Sequence, residues 1–101
     1  MNVNETIARW LGWTDIESWL EGYGIPPGGS PNTAKLVPLY DSGRAFWHGD
    51  DGLLAEIERR ELIARFMLAM REVVGITTWA HMTATPAQLA AALVKVIEEA
   101  E

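Results

Sequence analysis

The main predicted helix spans residues 53–74, LLAEIERRELIARFMLAMREVV. Its apolar residues recur at helical spacing and its charged residues fall on the opposite face, which predicts an amphipathic helix. Asp50 or Asp51 is placed to cap the start of this helix, and Gly75 to end it. The face predicted to enter the core comprises Ile63, Phe66, Met67, Met70, Val73 and Val74, opposite Glu58, Glu61, Arg65 and Glu72.

Two further helices flank this one in the sequence. Residues 3–11 place Val3, Ile7, Trp10 and Leu11 on one helical face, with Gly12 at the position of a C-terminal cap. Residues 86–100 follow a capping box, in which Thr85 is the N-cap, Pro86 is the first helical residue and Gln88 is the third. The second of these helices is predicted to bury Leu89, Leu93, Val96 and Ile97.

Two segments predict strands. Residues 76–82 alternate and are rich in β-branched side chains, which is typical of a strand. Residues 13–20 also alternate, although the spacing of Ile16, Trp19 and Leu20 equally allows a helical turn. The predicted fold class is therefore α+β. We expect one compact domain over residues 1–101, with three helices packed on a short, mainly antiparallel sheet in sandwich-like layers.

Composition excludes several classes of partner. Fourteen carboxylates oppose eight lysines and arginines, for a net charge of −6, so the basic footprint expected for direct nucleic-acid binding is missing. The longest apolar stretches are far shorter than the ~20 residues of a transmembrane helix, so no membrane partner is expected. No signal peptide is evident, and the absence of cysteine fits a cytoplasmic protein.

No catalytic or metal-binding constellation emerges from the sequence. His48, Asp50 and Asp51 lie close together, but their spacing matches no EF-hand, and helix capping explains an aspartate there. No serine lies in a nucleophile elbow, so the sequence offers no serine nucleophile that His81 could activate. The carboxylates are spread over solvated helix faces. We therefore expect no enzymatic activity, no cofactor and no metal.

Tryptophan is the compositional outlier, with five residues in 101. Trp10 falls on the apolar face of the predicted helix at 3–11. One small core has too little room for the other four tryptophans, which are Trp13, Trp19, Trp47 and Trp79. Aromatic side chains are enriched at binding hot spots, although they also fill the layer between a sheet and its helices. The loop at 22–31, rich in Gly and Pro, is either a self-packed surface loop or a recognition loop. The predicted binding surface comprises Trp19, Tyr23, Pro26, Pro27, Trp47, His48, Asp50, Asp51 and Trp79.

Three short motifs carry a resemblance to a known family. They are IARWLGW at residues 7–13, GIPPGGSPN at 24–32 with PLYDS at 38–42, and ATP at 84–86 before an alanine-rich helix. With these motifs the chain resembles the phage ABA-sandwich domain family. It departs from the family where Gln88 to Ala92 lacks an arginine and where GRAFW, residues 43–47, displaces an Asp or Asn. The resemblance implies a phage gene expressed in a bacterial host and an α+β layered fold, and it brings no catalytic residues.

The resulting hypothesis is a phage-encoded, non-enzymatic binding protein in the bacterial host cytoplasm. It would inhibit a host protein or defence system, as an anti-CRISPR-type protein does. The alternatives are a binder or sponge for a nucleotide signal and a structural or morphogenetic accessory of the phage. A homodimer through the alanine-rich terminal helix is also open.

Overall fold

Five helices and one small sheet form the described part of the protein. The computed structural model describes residues 3–16 and 22–100. The helices are α1 (Val3–Leu11), α2 (Leu53–Arg59), α3 (Ile63–Val74), α4 (Thr78–Met82) and α5 (Pro86–Ala100). The strands are β1 (Tyr23–Gly24) and β2 (Lys35–Leu36), and short 3₁₀ turns occupy Pro31–Thr33 and Arg44–Phe46.

The predicted α+β sandwich of three helices on a sheet is wrong, because the described structure is dominated by helices. Its sheet has two strands of two residues each, paired antiparallel with Tyr23 opposite Leu36 and Gly24 opposite Lys35. A sheet of this size offers no face broad enough to carry a layer of helices. The helices bury their apolar faces on one another instead.

Residues 76–82 form α4 rather than the predicted strand. Thr77 is the N-cap of this helix, and its hydroxyl accepts a hydrogen bond of 3.0 Å from the Ala80 amide. After the helix, the Thr83 hydroxyl donates to the Trp79 carbonyl at 2.8 Å. Threonine is typical of strands and is also a good N-cap, so the alternating pattern was misleading here.

The extended segment predicted at 13–20 is short in the described residues. Thr14 and Ile25 form one isolated antiparallel bridge, and Asp15 then adopts a positive φ of 50°. The remainder of that segment, from residue 17, lies outside the described residues. Within residues 13–16, the part of this segment that the structure describes, the strand pairing consists of that isolated bridge.

The helix predicted over 53–74 is interrupted between α2 and α3. Glu61 has a φ of 58°, in the left-handed region that ends an α-helix, and the Leu62 amide bonds to the Ile57 carbonyl at 3.0 Å. The start of α2 is also not capped as predicted. Its N-cap is Gly52, which makes no side-chain cap, and a Cβ there would lie 2.6 Å from the His48 carbonyl oxygen.

Helices α1 and α5 agree with their predicted bounds. The capping box of α5 is confirmed, since the Gln88 amide donates to the Thr85 hydroxyl at 3.2 Å and the Thr85 amide donates to the Gln88 side chain at 2.9 Å. On α1, Asn4 exchanges two 3.1 Å hydrogen bonds with Asp41. This pair attaches the segment before the Arg44–Phe46 turn to α1.

Helix α5 lies at the centre of the core, packed against both α3 and α1. Its predicted apolar face is confirmed, with Leu89, Leu93, Val96 and Ile97 all buried. The alanines Ala90 and Ala92 are completely buried as well, so they serve packing within the chain. The prediction for α3 was wrong in part: Phe66, Ala69 and Met70 are buried, whereas Ile63 and Met67 face outward.

Candidate functional site

The prediction that Trp47 belongs to the binding surface is wrong, because its side chain is completely buried. The indole N–H donates a 2.7 Å hydrogen bond to the Tyr40 carbonyl. The short 3₁₀ turn of Arg44–Phe46 directs the chain inward at this point, so that Trp47 enters the core beside Leu53. A fully buried side chain has no surface to offer a partner.

Three of the predicted residues meet at one open cavity of about 440 Å³. Pro27, His48 and Asp51 line it, together with the aromatic side chains of Trp13, Tyr40 and Phe46. The turn before α2 brings His48 and Asp51 to this edge, and the Pro-rich loop supplies Pro27 from the other side. Of the nine residues of the predicted surface, these three therefore line one cavity.

The charged edge of this cavity is already paired within the chain. Glu56 accepts from Arg59 at 3.1 Å and from Arg60 at 3.3 Å, and the Arg60 guanidinium lies 4.1 Å from the centre of the Trp10 ring. Partial burial raises the pKa of Glu56, but the hydrogen bonds and charges of the two arginines outweigh it and hold that pKa below its ordinary value. The charges of Glu56 and of these two arginines are therefore paired within the chain.

Burial raises the pKa of Tyr40 to about 12, against an ordinary 10.0, while a hydrogen bond with the Trp13 side chain lowers it in part. The folded protein therefore retains this phenolic proton at pH values where the unfolded chain has lost it. The contribution of Tyr40 to the free energy of unfolding is consequently lost as the pH rises from about 10 to about 12.

We expect the melting temperature to fall more steeply with pH in the wild type than in Tyr40→Phe over that window. Absorbance at 295 nm should show one of the two tyrosines ionising near pH 12 in the native protein, a step that the variant lacks. Equal pH slopes for the two proteins would contradict the assignment.

The remaining predicted residues are dispersed. Tyr23 and Pro26 are half-buried in and beside β1. Asp50 is exposed, and its carbonyl accepts a 3.1 Å bond from Arg59. Trp79 lies on α4 and is 72% exposed, while Trp19 falls outside the described residues. No group of three metal-ligating side chains occurs within residues 3–16 and 22–100.

The sequence prediction missed most of an apolar surface around Trp79. We call it the α3–α4 face, and it comprises Met67, Leu68, Ile76, Trp79 and Met82, each between 46% and 76% exposed. Trp79 and Met82 are neighbours at i,i+3 on α4. Large exposed apolar patches on soluble domains typically mark interaction sites.

A groove of about 580 Å³ runs along this face between α3 and α4. Met67, Leu68 and Ile76 supply its apolar wall, and Arg71 and His81 are its titratable lining residues, with no carboxylate. Arg71 has no carboxylate within ion-pair distance in the described part of the chain. His81 is fixed, since its Nε2 lies 2.8 Å from the Gly75 carbonyl and must donate to it.

Comparisons with protein-family models, with curated proteins and with solved structures gave no match. The resemblance to the phage family therefore stays an expectation from the sequence. Among the described helices, none is both long enough and apolar enough to cross a bilayer. The main structural indication of function is therefore the exposed apolar surface of the α3–α4 face.

Proposed function

We propose that this protein is a non-enzymatic binding protein that docks a segment of another protein on its α3–α4 face. The single observation that carries the proposal is the exposure of Leu68, Ile76 and Trp79, at 60%, 76% and 72%. Large apolar side chains at this exposure are costly in water, and a partner that covers them recovers the hydrophobic free energy.

The groove favours an amphipathic helix that carries a carboxylate. Grooves between two helices accept a third helix through its apolar face. Arg71 makes no ion pair within the described residues, and no carboxylate lines the groove, so an Asp or Glu of the partner would complete an ion pair there. The occupant we propose is therefore an acidic amphipathic helix of a partner protein.

The wider setting rests on the sequence. The phage resemblance and the absence of a catalytic constellation support a phage-encoded protein acting in the bacterial host cytoplasm on a host protein. Inhibition of a host defence system, of the anti-CRISPR type, is the activity we propose. Direct binding of nucleic acid is disfavoured by the net charge of −6.

Trp79→Ala and Leu68→Ser should each weaken partner binding, Trp79→Ala by about 30-fold or more if it is a hot spot. Leu36→Ser is the matched control, because Leu36 is 61% exposed and Leu68 is 60% exposed, but Leu36 lies on β2 away from the face. The measurement is affinity for the host protein that native mass spectrometry identifies on the tagged chain. Thermal melting should confirm that all three variants are folded.

Charge reversal tests the chemistry of the partner. Arg71→Glu should weaken the same complex, while Arg65→Glu, an exposed arginine outside the groove, should not. The proposal fails if the partner is retained equally by the face variants and by Leu36→Ser. It also fails if the purified chain covers the face by itself, which native mass spectrometry would show as a dimer that Trp79→Ala and Leu68→Ser convert to a monomer.

A further inference from the structure

A second, smaller cavity lies beneath the α3–α4 face, where α3 and α4 approach the residues around the Arg44–Phe46 turn. Its volume is about 270 Å³, just below the ~300–1,000 Å³ typical of small-molecule sites. Phe66, Met70 and Leu89, all buried, form its inner wall. The more exposed Met67 and Met82 stand at its mouth. Apart from Met67 and His81, its lining is separate from that of the groove.

The polar side chains that line this cavity are all basic. They are Arg44, His48 and His81, and no carboxylate, amide or hydroxyl side chain joins them. This is unusual in a chain with 14 carboxylates and 8 lysines and arginines. Arg44 forms no ion pair within the described residues, so its guanidinium retains its full donor capacity.

Apolar walls and a cationic edge fit one class of ligand. A hydrocarbon chain would lie among Phe66, Met70 and Leu89, and methionine side chains adapt readily to such a shape. A carboxylate at the end of that chain would meet Arg44, whose planar guanidinium matches a carboxylate in two parallel hydrogen bonds. We propose that this cavity binds a small apolar carboxylate, of the size of a medium-chain fatty acid.

The ligand differs from the nucleotide signal expected as an alternative from sequence. Nucleotide recognition through stacking favours the large faces of Phe, Tyr or Trp, and Phe66 is the single residue of these three types that lines the cavity. The proposal is tested on the isolated chain, without the partner protein.

Methionine methyl groups report on this cavity directly, since three of the four methionines line it. In a chain labelled with ¹³C at the methionine methyls, sodium octanoate should shift the Met67, Met70 and Met82 signals in a saturable manner. Octanol, with the same chain length and no charge, should bind at least about tenfold more weakly, because it lacks the charge-assisted bond. Arg44→Gln should abolish this preference, and Arg65→Gln should retain it.

Three outcomes would overturn the proposal. The first is the absence of saturable shifts. The second is equal affinity for octanoate and octanol, or an unchanged preference in Arg44→Gln. The third is a shift of Met67 and Met82 while Met70, 2% exposed, stays unchanged, since that pattern places octanoate on the open face. Unperturbed methyl dispersion in the free variants serves as the control for folding.

Discussion

Replacing Trp47 by alanine should lower the free energy of unfolding by about 3–5 kcal/mol, the range for large aromatic residues in cores. The side chain is completely buried, so the substitution leaves a large cavity. It also leaves the Tyr40 carbonyl without the indole N–H that now bonds to it at 2.7 Å. Domains of this size unfold with ~5–15 kcal/mol, so the loss is a large part of the total.

Trp79→Ala is the matched control, because it removes the same side chain from a position that is 72% exposed. Its effect on stability should stay within about 0.5 kcal/mol, as for most surface substitutions. Urea denaturation of the two variants makes the comparison. Equal destabilisation would contradict the assignment of Trp47 to the core and Trp79 to the binding face.

Leu93→Ala should cost about 2–5 kcal/mol, through lost burial and the cavity it leaves. Leu93 is completely buried on α5, the helix that packs against both α1 and α3. A melting temperature lower by roughly 8 °C or more is expected, given ~4–8 °C per kcal/mol in domains of this length.

Leu39→Ala provides the control for Leu93, since Leu39 is 62% exposed and its side chain stays largely in water. Differential scanning calorimetry should find its melting temperature close to that of the wild type. If Leu93→Ala melted as Leu39→Ala does, α5 would not be the centre of the core.

The helices that could be predicted from sequence are those with local signals at their ends. The reciprocal bonds of Thr85 and Gln88 fix the start of α5 within four residues of sequence. The apolar period of residues 3–11 likewise suffices for α1. Such signals do not depend on the rest of the fold, which is why both predictions were confirmed.

The break between α2 and α3 has no comparable signal. It depends on Glu61 at a φ of 58°, a conformation that non-glycine residues seldom adopt. Neither glycine nor proline occurs between residues 53 and 74, so the pattern predicts a continuous helix. Only the packing of α2 and α3 against the rest of the core distinguishes two helices from one.

The α3–α4 face was missed because α3 is apolar on nearly every side. All of its twelve residues except Arg65, Arg71 and Glu72 are apolar, so several rotations of the helix would bury a comparable face. The structure buries Phe66, Ala69 and Met70 and leaves Met67 and Leu68 outside. In α4, the misassigned strand concealed that Trp79 and Met82 share one helical side.

The packing of α1 against α5 has a consequence for the order in which the chain folds. Helix α1 ends at Leu11, and its partner α5 begins only at Pro86, so closing this contact brings together distant parts of the chain. The α3–α5 contact spans a far shorter loop and costs less entropy to close. We therefore expect α3 and α5 to associate early and α1 to dock late. During synthesis on a ribosome, Ile7 of α1 would therefore stay exposed until α5, against which α1 packs, has been made.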